Sequence, residues 1–221
     1  PREPQSFYEK AKDVVARGYT ALKFDPFGAA WRAVDRADFA LAIEIIAAVR
    51  AAVGPDVDVL VEGHNRFSVH TALQLADAMA PYNPTWFEAP VPPQRISDMV
   101  EVARRSPVPV ACGEDYYCAP QFAELLAQSA VRIIQLEPQY LGMSAAKQVC
   151  GMVNAVNGVT APHSAQGPLC SLVCAHLNTS TPNFCFHSIC TTLGMVAYFH
   201  QSFLIPRRVF SSSFAAALLA S

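Results

Sequence analysis

Apolar positions along this chain alternate between two rhythms. SFYEKAKDVVARG (6–18) repeats its apolar residues with helical spacing and stops at Gly18, TALKF (20–24) reads as a strand, and DRADFALAIEIIAAVRAAVG (35–54) is a strongly amphipathic helix closed by Gly54. Further helical stretches follow as SVHTALQLADAMA, SDMVEVARRS, APQFAELLAQSA, SAAKQVCGMVNAVN and LCSLVCAHLNT. Between them lie the short runs VDVLVE (57–62), TWFE (85–88), PVACGE (109–114), RIIQLE (132–137), GVTAPH (158–163) and NFCFH (183–187). VDVLVE, TWFE and PVACGE are apolar on both faces, as buried parallel strands are. A βαβα order demands a parallel sheet, and seven regularly spaced strands favour a β/α barrel. An open doubly wound sheet would call for a glycine-rich phosphate loop, and the chain has no GxGxxG.

Three of these runs end in an acid. Glu62, Glu88 and Glu114 stand 26 residues apart, the length of one strand plus helix repeat, so their carboxylates are expected to converge at the carboxyl rim. Three ionised carboxylates in one place repel each other unless a cation compensates them. Magnesium suits such a cluster because it takes oxygen ligands and keeps positions open for water or substrate. His64 lies two residues beyond Glu62 and is expected at the same rim, since side chains alternate along a strand. Asn65 and Arg66 follow as candidates to contact substrate hydroxyls or a carboxylate, the guanidinium offering a two-pronged fork. Trp86 is expected to pack between strand and helix.

Composition narrows the class. With 221 residues, 52% of them hydrophobic, the chain can bury the core of one domain. A net charge of −2 gives no sign of a nucleic-acid partner. No run of 18 apolar residues and no signal-peptide pattern is present, so no membrane partner is expected and the cytoplasm is the default location. Seven cysteines without a CxxC pair argue against a disulfide framework or a zinc ribbon. Charge is uneven: all 18 acids lie at or before Glu137, and the 84 residues after it carry only Lys147, Arg207 and Arg208. From Ser188 onward the text fits neither a barrel helix nor a membrane span. The expected division is therefore a partial catalytic barrel over 1–187 and an atypical tail over 188–221, which reads as a poorly ordered tail, an amphipathic surface segment or the product of an altered reading frame.

The motifs ALKFDPFG, LVEGHNRF, WFEAPVPP, PVACGE, IIQLEP and TAPHSAQGP, in this order and spacing, resemble the barrel of the enolase superfamily, in particular the mandelate racemase subgroup and its sugar-acid dehydratases. The resemblance covers roughly residues 1–184 and implies magnesium-assisted removal of a proton next to a carboxylate, with the enediolate held by the metal; in dehydratases a β-hydroxyl then departs. It implies Glu62, Glu88 and Glu114 as ligands, although the first position is more often Asp in the family. Lys23 would be a base or electrostatic partner, His163 the general base oriented by Glu137 where the family usually has Asp, and His64 the acid that protonates the leaving hydroxyl. Asp25 stands where racemases carry a second lysine. A histidine–carboxylate couple suits this chemistry because the acid raises the ring's basicity and fixes its tautomer. His70, His176 and His200 match no motif.

The expected fold is thus an incomplete β/α barrel, without the family's capping domain and first strand, leaving two unpaired sheet edges. At the eighth strand Phe186, His187 and Ser188 replace the family's glutamate. The expected activity is a magnesium-dependent acid-sugar dehydratase acting on a small aldonate or aldarate, a carbon–oxygen lyase. The alternatives are a racemase or cycloisomerase of the same superfamily, or a non-catalytic remnant or fragment that binds metal only. Homo-oligomerisation stays open.

Overall fold

The computed structural model describes residues 2–165, 167–190 and 196–200. Helix α1 (Pro4–Ala16) leads into β1 (Ala21–Phe24), α2 (Arg36–Val53), β2 (Asp58–Glu62), α3 (Val69–Met79) and β3 (Trp86–Glu88). Then come α4 (Ile96–Arg105), β4 (Val110–Cys112), α5 (Ala119–Ala127), β5 (Ile133–Ile134), the single turn α6 (Pro138–Leu141) and α7 (Met143–Ala155). The order closes with β6 (Val159–Thr160), α8 (Pro168–Thr179), β7 (Phe186–Cys190) and β8 (Val196–His200). Local chemistry sets several boundaries. Asp35 and Ser68 accept the backbone N–H of Asp38 (2.8 Å) and Thr71 (3.2 Å), capping α2 and α3. Gly54, at φ 75°, ends α2 in a conformation that a side chain would resist.

Strands β1 to β6 pair in sequence order, all parallel, and form the α/β sheet of a partial barrel. Its side chains sort by alternation. Leu22, Val59, Val61, Phe87, Val110, Cys112, Ile134 and Leu136 face the helices and join the large core between the two layers. Ala21, Leu60, Trp86, Ala111, Ala161 and Phe186 form a second, smaller core on the other face, with Ile133 packed against it. Two residues further along these strands come Lys23, Glu62, Glu88, Gln135 and His163, and Glu137 lies two beyond Gln135. A two-residue period therefore stacks the functional rim on the inner core.

Two expectations need correction. The edge of β1 is not bare: β8 pairs antiparallel with it, Ala21 opposite Tyr198, and also with β7, Ser188 opposite Tyr198. The other edge is bridged too, because the Thr160 N–H donates to Asn183 O (2.9 Å) and the Cys185 N–H to Thr160 O (2.8 Å). Backbone groups at an edge take whatever strand reaches them, parallel or not. Trp86 does not pack between strand and helix either; its ring lies edge-on to Phe186 in the inner core, centroids 5.3 Å apart.

Candidate metal centre and catalytic residues

The sheet brings the three spaced glutamates together. Glu62 and Glu88 end adjacent strands in direct register. Glu114 lies two residues past β4 and out of its inward phase, and Gly113 (φ 134°) makes the turn that redirects the chain there; a Cβ on Gly113 would sit 3.0 Å from the Phe122 ring. One carboxylate oxygen from each of Glu62, Glu88 and Glu114 lies within 4.8 Å of the others. Glu62 and Glu88 are fully buried, and Glu114 is largely so.

Lys23 enters this cluster from β1. Its ammonium pairs with Glu62 Oε2 at 2.8 Å and with Glu88 Oε1. Trp86 Nε1 donates to Glu88 Oε2 at 2.9 Å, and Gln135 also hydrogen-bonds to Glu88. Burial and the adjacent Glu88 charge push Glu62 well above the usual carboxylate range, with Lys23 opposing. Burial acts on Glu88 in the same direction, but the Lys23 ammonium and the donors around Glu88 overcome it and hold the group down at about 2. Glu114 is raised by burial and by Glu88, against the pull of His163. One ammonium is too little positive charge for three buried acids, and Glu62 and Glu114 are pushed toward their protonated forms. An all-carboxylate oxygen donor set short of positive charge fits a hard divalent cation.

His163 stands beside this cluster. Its Nδ1 meets Glu137 Oε2 at 2.9 Å and its Nε2 meets Glu114 Oε2 at 3.2 Å. Glu137 is completely buried, and its other oxygen accepts the Gln139 N–H (3.0 Å) and the Cys170 thiol (3.4 Å). The longer acid therefore both caps α6 and holds the imidazole. Burial would raise Glu137, but the hydrogen bonds from His163 and the Gln139 amide lower it. Burial would likewise lower His163, yet the Glu137 hydrogen bond raises it.

His64 lies at the same rim. Its backbone N–H donates to Glu62 Oε1 (2.9 Å), while its ring Nδ1 reaches Asp25 Oδ2 at 2.7 Å. Arg66 donates to both Asp25 oxygens (2.7 Å each), to Gly63 O (3.0 Å) and to Gly28 O, so its guanidinium is engaged by the protein. Asn65 donates to Asp115 Oδ2 (2.5 Å). Burial raises Asp25, but the His64 hydrogen bond, the Phe27 amide and Arg66 bring it below its ordinary value. Beside His64 opens a groove of 560 Å³ walled by Trp31, Arg32, Pro92, Pro93 and Tyr117. Sequence reading missed Gln135 and Asp115, whose only signals were an inward strand position and a place next to Glu114.

The family model for the enolase C-terminal domain-like proteins matches residues 6–211. A D-gluconate dehydratase of Thermoproteus tenax is 36% identical over 182 residues, which is 82% of this chain and 37% of that protein. A D-gluconate/D-galactonate dehydratase of Picrophilus torridus is 31% identical over 183 residues, 82% and 47% of the two chains. The chain thus spans less than half the length of these curated relatives. The crystal structure of a mandelate racemase/muconate lactonizing enzyme from Sulfitobacter sp superposes with a TM-score of 0.80 at 31% identity, covering 96% of this chain and 60% of that one.

Proposed function

Because the chain belongs to the enolase C-terminal domain-like family, we propose that it carries the metal and acid–base centre of a sugar-acid dehydratase acting on an aldonate or aldarate. The observation that carries this reading is the convergence of Glu62, Glu88 and Glu114 beside the Glu137–His163 couple. The similarity to dehydratases of gluconate and galactonate supports the substrate class. Magnesium, held by Glu62, Glu88 and Glu114, would polarise the substrate carboxylate and so acidify the neighbouring C–H.

The protein's own groups then divide the work. Lys23 supplies a fixed positive charge between Glu62 and Glu88. Glu137 keeps the His163 proton on Nδ1, which leaves Nε2 as the atom that takes the α-proton. The electron pair left at the α-carbon forms the double bond as the β C–O bond breaks, and His64 delivers a proton to the departing oxygen, which leaves as water. Asp25, where a racemase would need a second base, is tied to Arg66 and His64. That favours elimination over racemisation.

Solvent-deuterium exchange separates the two histidines. With magnesium and a panel of aldonates and aldarates, His163→Asn is expected to lose both α-proton exchange and dehydration. His64→Asn is expected to keep exchange while dehydration falls by ~100-fold or more, the usual range for one acid–base group. Exchange lost in His64→Asn and retained in His163→Asn would reverse the roles, and magnesium binding without turnover of any substrate would leave a metal-binding protein only.

A further inference from the structure

The rim holds two histidines backed by carboxylates, and the second couple involves a residue that the dehydratase reading leaves without a job. Asp25 is not one of the three clustered acids, and its carboxylate meets His64 and Arg66. Oδ1 accepts the Phe27 N–H (2.8 Å) and Arg66 (2.7 Å), while Oδ2 accepts Arg66 (2.7 Å) and faces His64 Nδ1 (2.7 Å). Arg66 is itself anchored on two backbone carbonyls, Gly63 O and Gly28 O. His64 and Asn65 both adopt left-handed backbone, φ 51° and 56°, a conformation that costs a non-glycine residue ~1 kcal/mol or more. The His64 imidazole is over half exposed, beside the groove walled by Trp31, Arg32 and Tyr117.

We propose that Asp25 is the positioning residue of His64: it holds the ring with its proton on Nδ1 and so makes Nε2 the nitrogen that exchanges protons with a molecule in the groove. The chemistry is one-sided. An ionised carboxylate can only accept, so the nitrogen facing it must be the donor. Lysine and glutamine at this place would offer donors or a mixed amide, and neither would select that tautomer. Glu137 faces His163 Nδ1 in a similar way, with Gln139 and Cys170 behind it as Phe27 and Arg66 stand behind Asp25, but His163 Nε2 meets a second carboxylate, Glu114, whereas Asp25 is the one carboxylate that meets the His64 ring among the described residues. The use of His64 as the acid rests on the proposed dehydration, whereas the tautomer does not.

The test reads the tautomer directly, by long-range proton–nitrogen NMR on the ¹⁵N-histidine-labelled chain at a pH where the ring is neutral, with His64→Gln to assign the signal. The parent chain is expected to show His64 protonated on Nδ1, the reverse of the preference of free histidine. Asp25→Asn is expected to invert this. Its carbonyl oxygen would stay at the Oδ1 position with the Phe27 and Arg66 donors, and its NH₂ would face the ring, as happens when a triad aspartate becomes an amide. A parent spectrum with the proton on Nε2 overturns the proposal, and so does an unchanged tautomer in a folded Asp25→Asn. Should Asp25→Asn fail to fold, the parent spectrum alone decides. Failure of substrate turnover with the expected tautomer in place would count against the dehydratase reading and leave the role of Asp25 standing.

Discussion

At the scale of single residues, the cluster crowds three acids around one ammonium. Glu88 is the member with the most partners, accepting from Lys23, Trp86 and Gln135. Glu88→Gln keeps the shape and removes one charge, so magnesium affinity measured by calorimetry is expected to fall by ~100-fold, since even partners behind a ligand are typically worth ~10–100-fold. Equal affinity in both chains would place the metal elsewhere. Much of this site was legible because the barrel repeat is rigid: the interval of 26 that links Glu62, Glu88 and Glu114 also separates Glu137 from His163. What the interval could not say is what each side chain touches. Arg66 was a candidate for substrate, and in the fold it is wrapped around Asp25, while Trp86 turns inward to donate to Glu88. Side-chain partners depend on elements far apart in sequence, such as Asp25 and Arg66.

Among elements, the decisive join is between the end of β2 and the end of β3. The Gly63 N–H donates to Glu88 O (2.8 Å), Asn65 N–H to Ala89 O (2.6 Å) and Phe67 N–H to Pro90 O (3.1 Å), so the segment that carries His64 is laid along the segment that carries Glu88. A Cβ at Gly63 would stand 2.8 Å from Glu88 O and 2.9 Å from Ala89 O, both backbone atoms with no freedom to swing away. Gly63→Ala is therefore expected to destabilise the chain by about 1–3 kcal/mol in urea unfolding and to weaken magnesium binding. A chain of unchanged stability would show that the two segments are free to part. The helices and parallel strands were readable from periodicity, as VDVLVE and β2 show. The turn α6 was not, because four residues are too few to show a period and its start is set by the Glu137 cap. The hairpin of β7 and β8 escaped for another reason. Its pairing is decided by the open edge of β1, which lies at the other end of the chain.

For the whole molecule, closure of the sheet buries a histidine that has little to gain from charge. His187 on β7 is fully buried, its Nδ1 3.2 Å from Asn178 Nδ2 and its Nε2 without a partner among the described residues. Burial pushes its pKa down to about 4. The unfolded chain, with an ordinary histidine near 6.5, binds more protons between those two values. Stability therefore falls as pH drops from ~6.5 to ~4, by about 1.4 kcal/mol per pH unit from this group, and levels off below. His187→Gln is expected to lack that slope when urea midpoints of the two chains are compared across the window. Parallel slopes would place His187 in contact with solvent. The antiparallel β8 has a consequence in time as well. Residues 25–195 separate its partner β1 from β8, so β1 is made roughly 9–35 s before β8 at 5–20 residues per second. Through that interval β1 has β2 on one side and no β8 on the other, so its free edge stays open to foreign strands until β8 arrives.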